Sequence, residues 1–421
     1  MVRQYAFTFL APVPAHRVNS LRELLNQINN KVEENIVFPF VKMESIHFAR
    51  LLILDESPSE RKKPHTYPTY LVFSTNYDGS LDDHLREIVE KSGEGFRQIF
   101  GHCESGPNEN TTTKACIEFL KKYSDYRAYF YIGTWGRSVA QIRHEESVRQ
   151  RAEEYLDTEA ERQASAREIW ERMVSDFQKE NLLKPFDEVV LPQFTRPRIL
   201  FLSIIALLLL PVWLPLLLIA ALALRIMERI ERPFEFSRLD LEKTQDVANQ
   251  EDHIVQNQLT HLVEIRYNFF RGLLLKIVLS AIQLLAVYVF NKGKLGNIPT
   301  IHFARWLRID DGKRLLFFSN YDGSWESYLG DFIDKASVGL TGVWSNTRWF
   351  PRALFLLFRG ARDEQRFKAW TRSHQVYTDV WYSAYKTLSV PNILNNSLIY
   401  QGLQTSTLTE QEAQEWLCLF N

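Results

Sequence analysis

Hydrophobic positions along the first 145 residues switch period in a fixed order. Alternation at Tyr5–Leu10 predicts a strand, and the spacing over Val18–Glu33 predicts a helix. Apolar runs at Ile46–Leu54 and Tyr70–Ser74 predict two further strands, paired across a proline-rich loop. Leu81, Leu85, Ile88 and Val89 then recur at helical spacing. Ser80 stands where an N-cap would accept from free backbone N–H groups, and Asp82 and Asp83 suit the positive helix end. A helix at Lys114–Tyr123 and a strand at Ala128–Ile132 complete the order βαββαβ.

The second half repeats it. A strand at His261–Ile265 precedes a long apolar helix from Phe269 to Phe290. Strands at Ile301–Ile309 and Arg314–Ser319 follow, joined by Asp310-Asp311-Gly312-Lys313 as a tight turn. A capped helix after Ser324, a helix at Glu364–Ser373 and a strand at Thr378–Ala384 end the pattern. Two motifs recur in the same order: Ile46-His47-Phe48-Ala49-Arg50 returns at residues 301–305, and Asn76-Tyr77-Asp78-Gly79-Ser80 at 320–324. Such a repeat predicts two copies of one unit.

Strand alternation assigns the faces. Ile301, Phe303, Leu307 and Ile309 are expected on one side, and His302, Ala304 and Trp306 on the other. Both sides are largely apolar, so both need covering; helices cover one, and the second unit's sheet can cover the other. The chain therefore resembles the dimeric α/β-barrel superfamily, in which two ferredoxin-like modules pack as a pair. The expected fold class is α+β: two ferredoxin-like βαββαβ modules (1–145 and 258–421) in a pseudo-dimeric α/β barrel, with an inserted membrane segment. Between them fall a charged helical linker (146–198), the apolar segment (199–224) and a polar linker (225–257).

That apolar segment, Ile199–Leu224, runs 26 residues without a charge, between Arg196 and Arg198 on one side and Arg225, Arg229 and Arg232 on the other. Its length and composition predict a lipid-bilayer segment. Pro211 and Pro215 break its centre, which leaves a re-entrant hairpin or a kinked single span. If the modules close on one another, both must lie on one face. The flanking arginines put that face in the cytoplasm, so the chain is expected to be membrane-associated with both modules cytoplasmic. A near-neutral balance, net charge −1 with 24% charged residues, argues against a nucleic-acid partner. Cys103, Cys116 and Cys418 form no paired or metal-binding spacing, which fits a reducing compartment. The mixed charges of Val148–Glu180 suit a solvated helix or a docking face for a partner protein.

Candidate chemistry gathers on the repeats. His47 and His302 are equivalent, each beside an arginine, Arg50 or Arg305. Such a set can bind an anion, ligate haem iron or move protons; the simpler reading is a buried His bonded to a carbonyl and an Arg bridging strand to helix. The turn motifs with Asp78 and Asp322 read first as strand-to-helix turns, with Gly for positive φ and Ser as cap. They also resemble, loosely, the Asp-Gly turn of the dye-decolourising haem peroxidases, although the leading Gly of that family's motif is missing from both copies. The resemblance implies haem as cofactor, Asp78 and Asp322 as distal acids and His374 as the positional candidate for the haem ligand. The family's distal Arg has no placed counterpart; it is the paired His/Arg set that offers Arg50 and Arg305 as catalytic residues and His302 and His47 as cofactor-binding ones. No metal site is supported elsewhere. The expected function is binding a small, lipophilic molecule, with haem-dependent peroxidase-like oxidoreductase activity as its enzymatic form. A non-enzymatic membrane scaffold is the competing class.

Overall fold

The computed structural model describes residues 3–58, 66–124, 127–159, 164–186, 190–193, 205 and 207–420. The protein is α+β, built on two four-stranded antiparallel sheets. The long strands are β1 (Gln4–Pro12), β2 (Ile46–Leu54), β3 (Tyr70–Asp78), β4 (Ala128–Ile132), β5 (Gln256–Glu264), β6 (Ile301–Ile309), β7 (Arg314–Asp322) and β8 (Val380–Ser383). The first six helices are α1 (Val18–Asn29), α2 (Leu81–Ser92), α3 (Glu94–Phe100), α4 (Thr113–Lys122), α5 (Val139–Glu159) and α6 (Ala166–Lys179). After them come α7 (Leu210–Ile230), α8 (Leu241–Ala248), α9 (Phe269–Tyr288), α10 (Trp325–Trp344), α11 (Glu364–His374), α12 (Val390–Gln404) and α13 (Glu410–Leu417).

One sheet runs β1-β3-β2-β8 and the other β5-β7-β6-β4. The last strand of each half is thus bonded to the other half's sheet. Tyr131 of β4 lies opposite Ala304, and Tyr382 of β8 opposite Ala49. The exchange covers the outer edges of β2 and β6, whose N–H and C=O rows would otherwise be open to pairing with another chain. Divisions at residues 145 and 258 therefore part the chain but not the sheets.

Each sheet has two covered faces. Ile46, Leu51, Ile53, Leu71 and Phe73 pack under α1–α4, and Leu259, Trp306, Leu315 and Phe317 under α9–α11. On the other side Leu10, Leu52, Leu54 and Val72 meet Leu307, Ile309, Leu316 and Phe318 across the gap between sheets. The facing read from alternation needs one correction. The register shifts between Ile46 and Phe48, and again between Ile301 and Phe303. A bulge at His47 and at His302 reverses the parity there. Ile301 consequently packs on the helix side with Ala304 and Trp306, while His302 turns to Phe48 and Tyr385 beside Phe303.

The charged stretch 148–180 forms α5 and α6. Their apolar stripe (Val148, Ala152, Trp170, Met173 and Phe177) is buried against Tyr400, Leu403 and Trp416 of α12 and α13, which leaves only the charged faces outward. Residues 199–204 and Ala206, like Arg196 and Arg198, lie outside the described residues. The rest of the apolar segment does not reverse at Pro211–Pro215. α7 continues through both: Pro211 sits in the first turn, where its missing N–H is not needed, and Pro215 removes one bond without ending the helix. Among the described residues one helix, Phe269–Tyr288, meets a length-and-composition test for a membrane span, with 22% of its apolar window buried.

Candidate functional site

The two histidines and the two aspartates of the repeats meet as pairs. Bulging puts His47 where its Nε2–H donates to Asp78 Oδ1 at 2.9 Å, and His302 does the same to Asp322 Oδ1 at 2.7 Å. Each Asp uses its second oxygen on a helix that begins just past an exchanged strand. Asp78 Oδ2 accepts from Val139 N of α5, and Asp322 Oδ2 from Val390 N of α12, both at 2.8 Å. A carboxylate there satisfies a free N–H and complements the positive helix end. Gly79 and Gly323 supply the positive φ, +87° and +80°, that turns each strand into the following helix.

The pairs differ at the other ring nitrogen. His47 Nδ1 lies 2.8 Å from the Tyr385 hydroxyl, whereas His302 Nδ1 has no hydrogen-bond partner among the described residues. Burial, and then the charges of Asp78 and Asp322, push the Tyr385 phenol well above its ordinary value. Tyr385 therefore stays protonated and donates to His47. The rings interleave: His47 lies 5.2 Å from Phe303, and His302 5.1 Å from Phe48.

Arg50 and Arg305 each cross to the opposite sheet. Arg50 Nη1 donates to Leu259 O and Thr260 Oγ1, both at 3.0 Å, and Nη2 to Ser319 O at 3.1 Å and Asn320 Oδ1 at 2.6 Å. Arg305 donates to Thr75 O at 2.9 Å and to Ser74 Oγ. Phe318 lies beside both guanidinium groups, 4.8 Å from Arg50 and 5.3 Å from Arg305. Burial lowers Arg50 to about 9, and burial together with the nearby Arg50 charge takes Arg305 well below its usual value. Neither has a carboxylate partner among the described residues; carbonyls, side-chain amides and hydroxyls carry the charge instead.

His47, His302, Arg50, Arg305, Asp78 and Asp322 thus share one interface between the sheets. His374 does not join it. At the end of α11 its Nδ1 lies 2.9 Å from Trp370 O, and its ring packs 5.8 Å from His261. Haem fits this donor set poorly. Both nitrogens of His47 are taken, and His302 is buried among Phe48, Tyr385 and Asp322. No step through haem is derived.

Sequence reasoning missed the partners that complete these contacts. Gln4 and Gln256, each opposite the motif Asp, bond to the loop after an exchanged strand: Gln4 Nε2 to Arg137 O, Gln256 Nε2 to Tyr385 O and Leu388 O. His84 and Tyr328 are also counterparts. His84 stacks on Tyr77, and Tyr328 on Tyr321, each at 3.8 Å. A Gln opening each first strand was the visible signal for the first pair. Nothing in residue type linked His84 to Tyr328.

A second kind of site lies outside the sheets. A cleft of about 320 Å³ separates α9 from α10, with Ile282, Leu285, Phe290, Phe332, Leu340 and Trp344 among its walls and Lys335 its one charged lining residue. Comparison with known proteins returns no matching family model, no matching curated protein and no matching solved structure.

Proposed function

We propose that this chain is a membrane-anchored protein that binds a small lipophilic molecule in the cleft between α9 and α10. In this reading the two halves are ferredoxin-like modules closed into a pseudo-dimeric α/β barrel by the exchanged strands. α7 lies in the bilayer, both halves face the cytoplasm, and the His, Asp and Arg residues of the repeats fasten the halves rather than react. The observation that carries it is the cleft: lined by apolar and aromatic side chains, of ligand size, and beside α9, whose outward face exposes Phe269, Leu273, Ile277 and Leu284. Anchoring is supported by α7, whose Leu216, Leu217, Leu218, Ile219 and Leu222 are all exposed. Its charge-free part, Leu210–Leu224, measures roughly 22 Å at about 1.5 Å per residue, short of the ~30 Å of a hydrocarbon core, which suits a segment that enters the bilayer without crossing it. Both flanks are held on the same body: Pro192 O accepts from Asn291 at 2.8 Å, and Glu231 pairs with Arg271 at 2.7 Å.

Gly339→Phe tests the cleft. A Cβ at Gly339 meets nothing within 4 Å, so the ring enters the cleft without backbone strain. Binding of a fluorescent fatty acid should weaken at least about tenfold, as expected when about 1.4 kcal/mol of apolar contact is lost. Unchanged binding rejects the cleft as the site. The scaffold reading is favoured by one observation, the packed space between the sheets, where Leu52, Leu54, Leu307 and Phe318 form one buried apolar cluster.

A further inference from the structure

At the C-terminal end of α7 the chain turns through Pro233–Phe236 and forms one wall of a cavity of about 860 Å³. Arg352, Arg359, Arg362 and Arg366 line it, all exposed. Two carboxylates face them, Glu235 and Asp363, and Asp363 is already paired with Arg366 at 2.7 Å. Among the described residues Arg352 and Arg359 have no ion pair, so the cavity carries an excess of positive charge suited to a phosphate.

The same arginines flank a hairpin. Ala353 and Leu354 pair with Arg359 and Phe358, and the turn leaves Phe355, Leu357 and Phe358 exposed at 44%, 40% and 49%. Phe355 and Leu356 have φ of +51° and +66°, a conformation that is costly for residues with a Cβ and persists only where contacts hold it. Here Glu228 of α7 holds it. Its carboxylate accepts from Phe355 N at 2.9 Å and Leu356 N at 2.8 Å, its side chain is 1% exposed, and Arg225 lies 3.2 Å away. The last turns of α7 thus fix an apolar hairpin tip and a basic cavity at one level.

We propose that this cavity seats the phosphate of an anionic phospholipid, with Phe355, Leu357 and Phe358 beside its acyl chains. The inference rests on α7 lying in the bilayer. A soluble phosphate would satisfy the arginines but leave three large apolar side chains in water. A lipid satisfies both, and the point where a helix leaves the bilayer at its charged end is where headgroups lie.

The full chain, reconstituted in vesicles of phosphatidylcholine with and without phosphatidylglycerol, provides the test. In the parent, lipid retained on extraction should be enriched in phosphatidylglycerol over the vesicle composition. In Arg352→Gln/Arg359→Gln that enrichment should fall on the order of tenfold, since each basic residue near an anionic surface contributes appreciably. Excess inorganic phosphate should leave the parent's enrichment intact. Equal retention of the two lipids, an unchanged double variant, or displacement by inorganic phosphate would each overturn the proposal. A polarity-sensitive dye separates this inference from its premise. In a Cys418→Ser background, where Cys103 and Cys116 are buried, it is attached at Leu217→Cys or Leu357→Cys. Both labels should report lipid. A lipid signal at 217 with water at 357 overturns the headgroup seat alone; water at both positions overturns the anchoring as well.

Discussion

Asn76 and Asn320 hold the same place in the two repeated motifs, and they bond to each other: Asn320 Nδ2 donates to Asn76 Oδ1 at 3.1 Å. They are not equal in what else they carry. Asn320 Oδ1 also accepts from Arg50 at 2.6 Å and from Trp381 Nε1 at 3.1 Å. Asn76→Ala should therefore cost about 1 kcal/mol, the worth of one neutral hydrogen bond. Asn320→Ala leaves a buried guanidinium short of an acceptor and should cost about 2–4 kcal/mol. Urea unfolding of both variants checks the order; equal losses would mean Arg50 finds another acceptor.

The two aspartates act on different helices. Asp78→Ala should speed hydrogen exchange at the Val139 amide, and Asp322→Ala at the Val390 amide, each without affecting the other. Each change leaves a buried His and a helix N–H without an acceptor, at about 2–3 kcal/mol. Exchange measured by residue-resolved mass spectrometry distinguishes two separate fastenings from general loosening.

Asp379 precedes β8, where its carboxylate accepts from Ile53 N at 2.8 Å. Burial outweighs that bond and the Arg22 charge, and pushes the carboxyl up to about 6. The folded chain therefore holds this proton more tightly than the unfolded one. Stability from this group is greatest below its ordinary value of 3.8, declines as pH rises to about 6, and is level above that. Asp379→Asn should remove the decline, gaining on the order of 2–3 kcal/mol near neutrality and little at about pH 4. Melting curves across that range provide the check.

His84 has the opposite sign. Its ring is 2.8 Å from Thr75 Oγ1, and burial pulls it down to about 3. The folded chain binds this proton less well than the unfolded one, so stability is complete above the ordinary value of 6.5 and is lost as pH falls toward 3. His84→Tyr installs the counterpart residue; Tyr328 reaches Ser319 Oγ at 2.7 Å in the corresponding contact. The variant should lie within about 1 kcal/mol of the parent at neutral pH and show a shallower acid limb in unfolding. An unchanged acid limb would place the acid sensitivity elsewhere.

Strand and helix positions were largely legible, because Ile46–Leu54 and Ile301–Ile309 are apolar on both faces and Ser80 and Ser324 cap where their motifs end. The bulges at His47 and His302 were not: an inserted residue changes which way a side chain points without changing residue type. Nor was the exchange of β4 and β8, since pairing along an edge depends on which edge is free rather than on composition. Proline misled at Pro211, where position in the first turn makes it harmless. The arginine cavity also escaped notice. Its members are spread over 352–366 on a hairpin and two helical turns, and only folding gathers them beside residues 233–236.

The exchanged strands also set a timetable for synthesis. Leu51 pairs with Val380, so the first sheet lacks its fourth strand until about 330 more residues have left the ribosome. At 5–20 residues per second that wait is roughly 15–65 s. Throughout it β2 presents an open, apolar edge of the kind that recruits strands from other chains. Helix α7 emerges during the same interval; if it enters a bilayer as proposed, a growing chain held there would keep that edge away from its neighbours until β8 arrives.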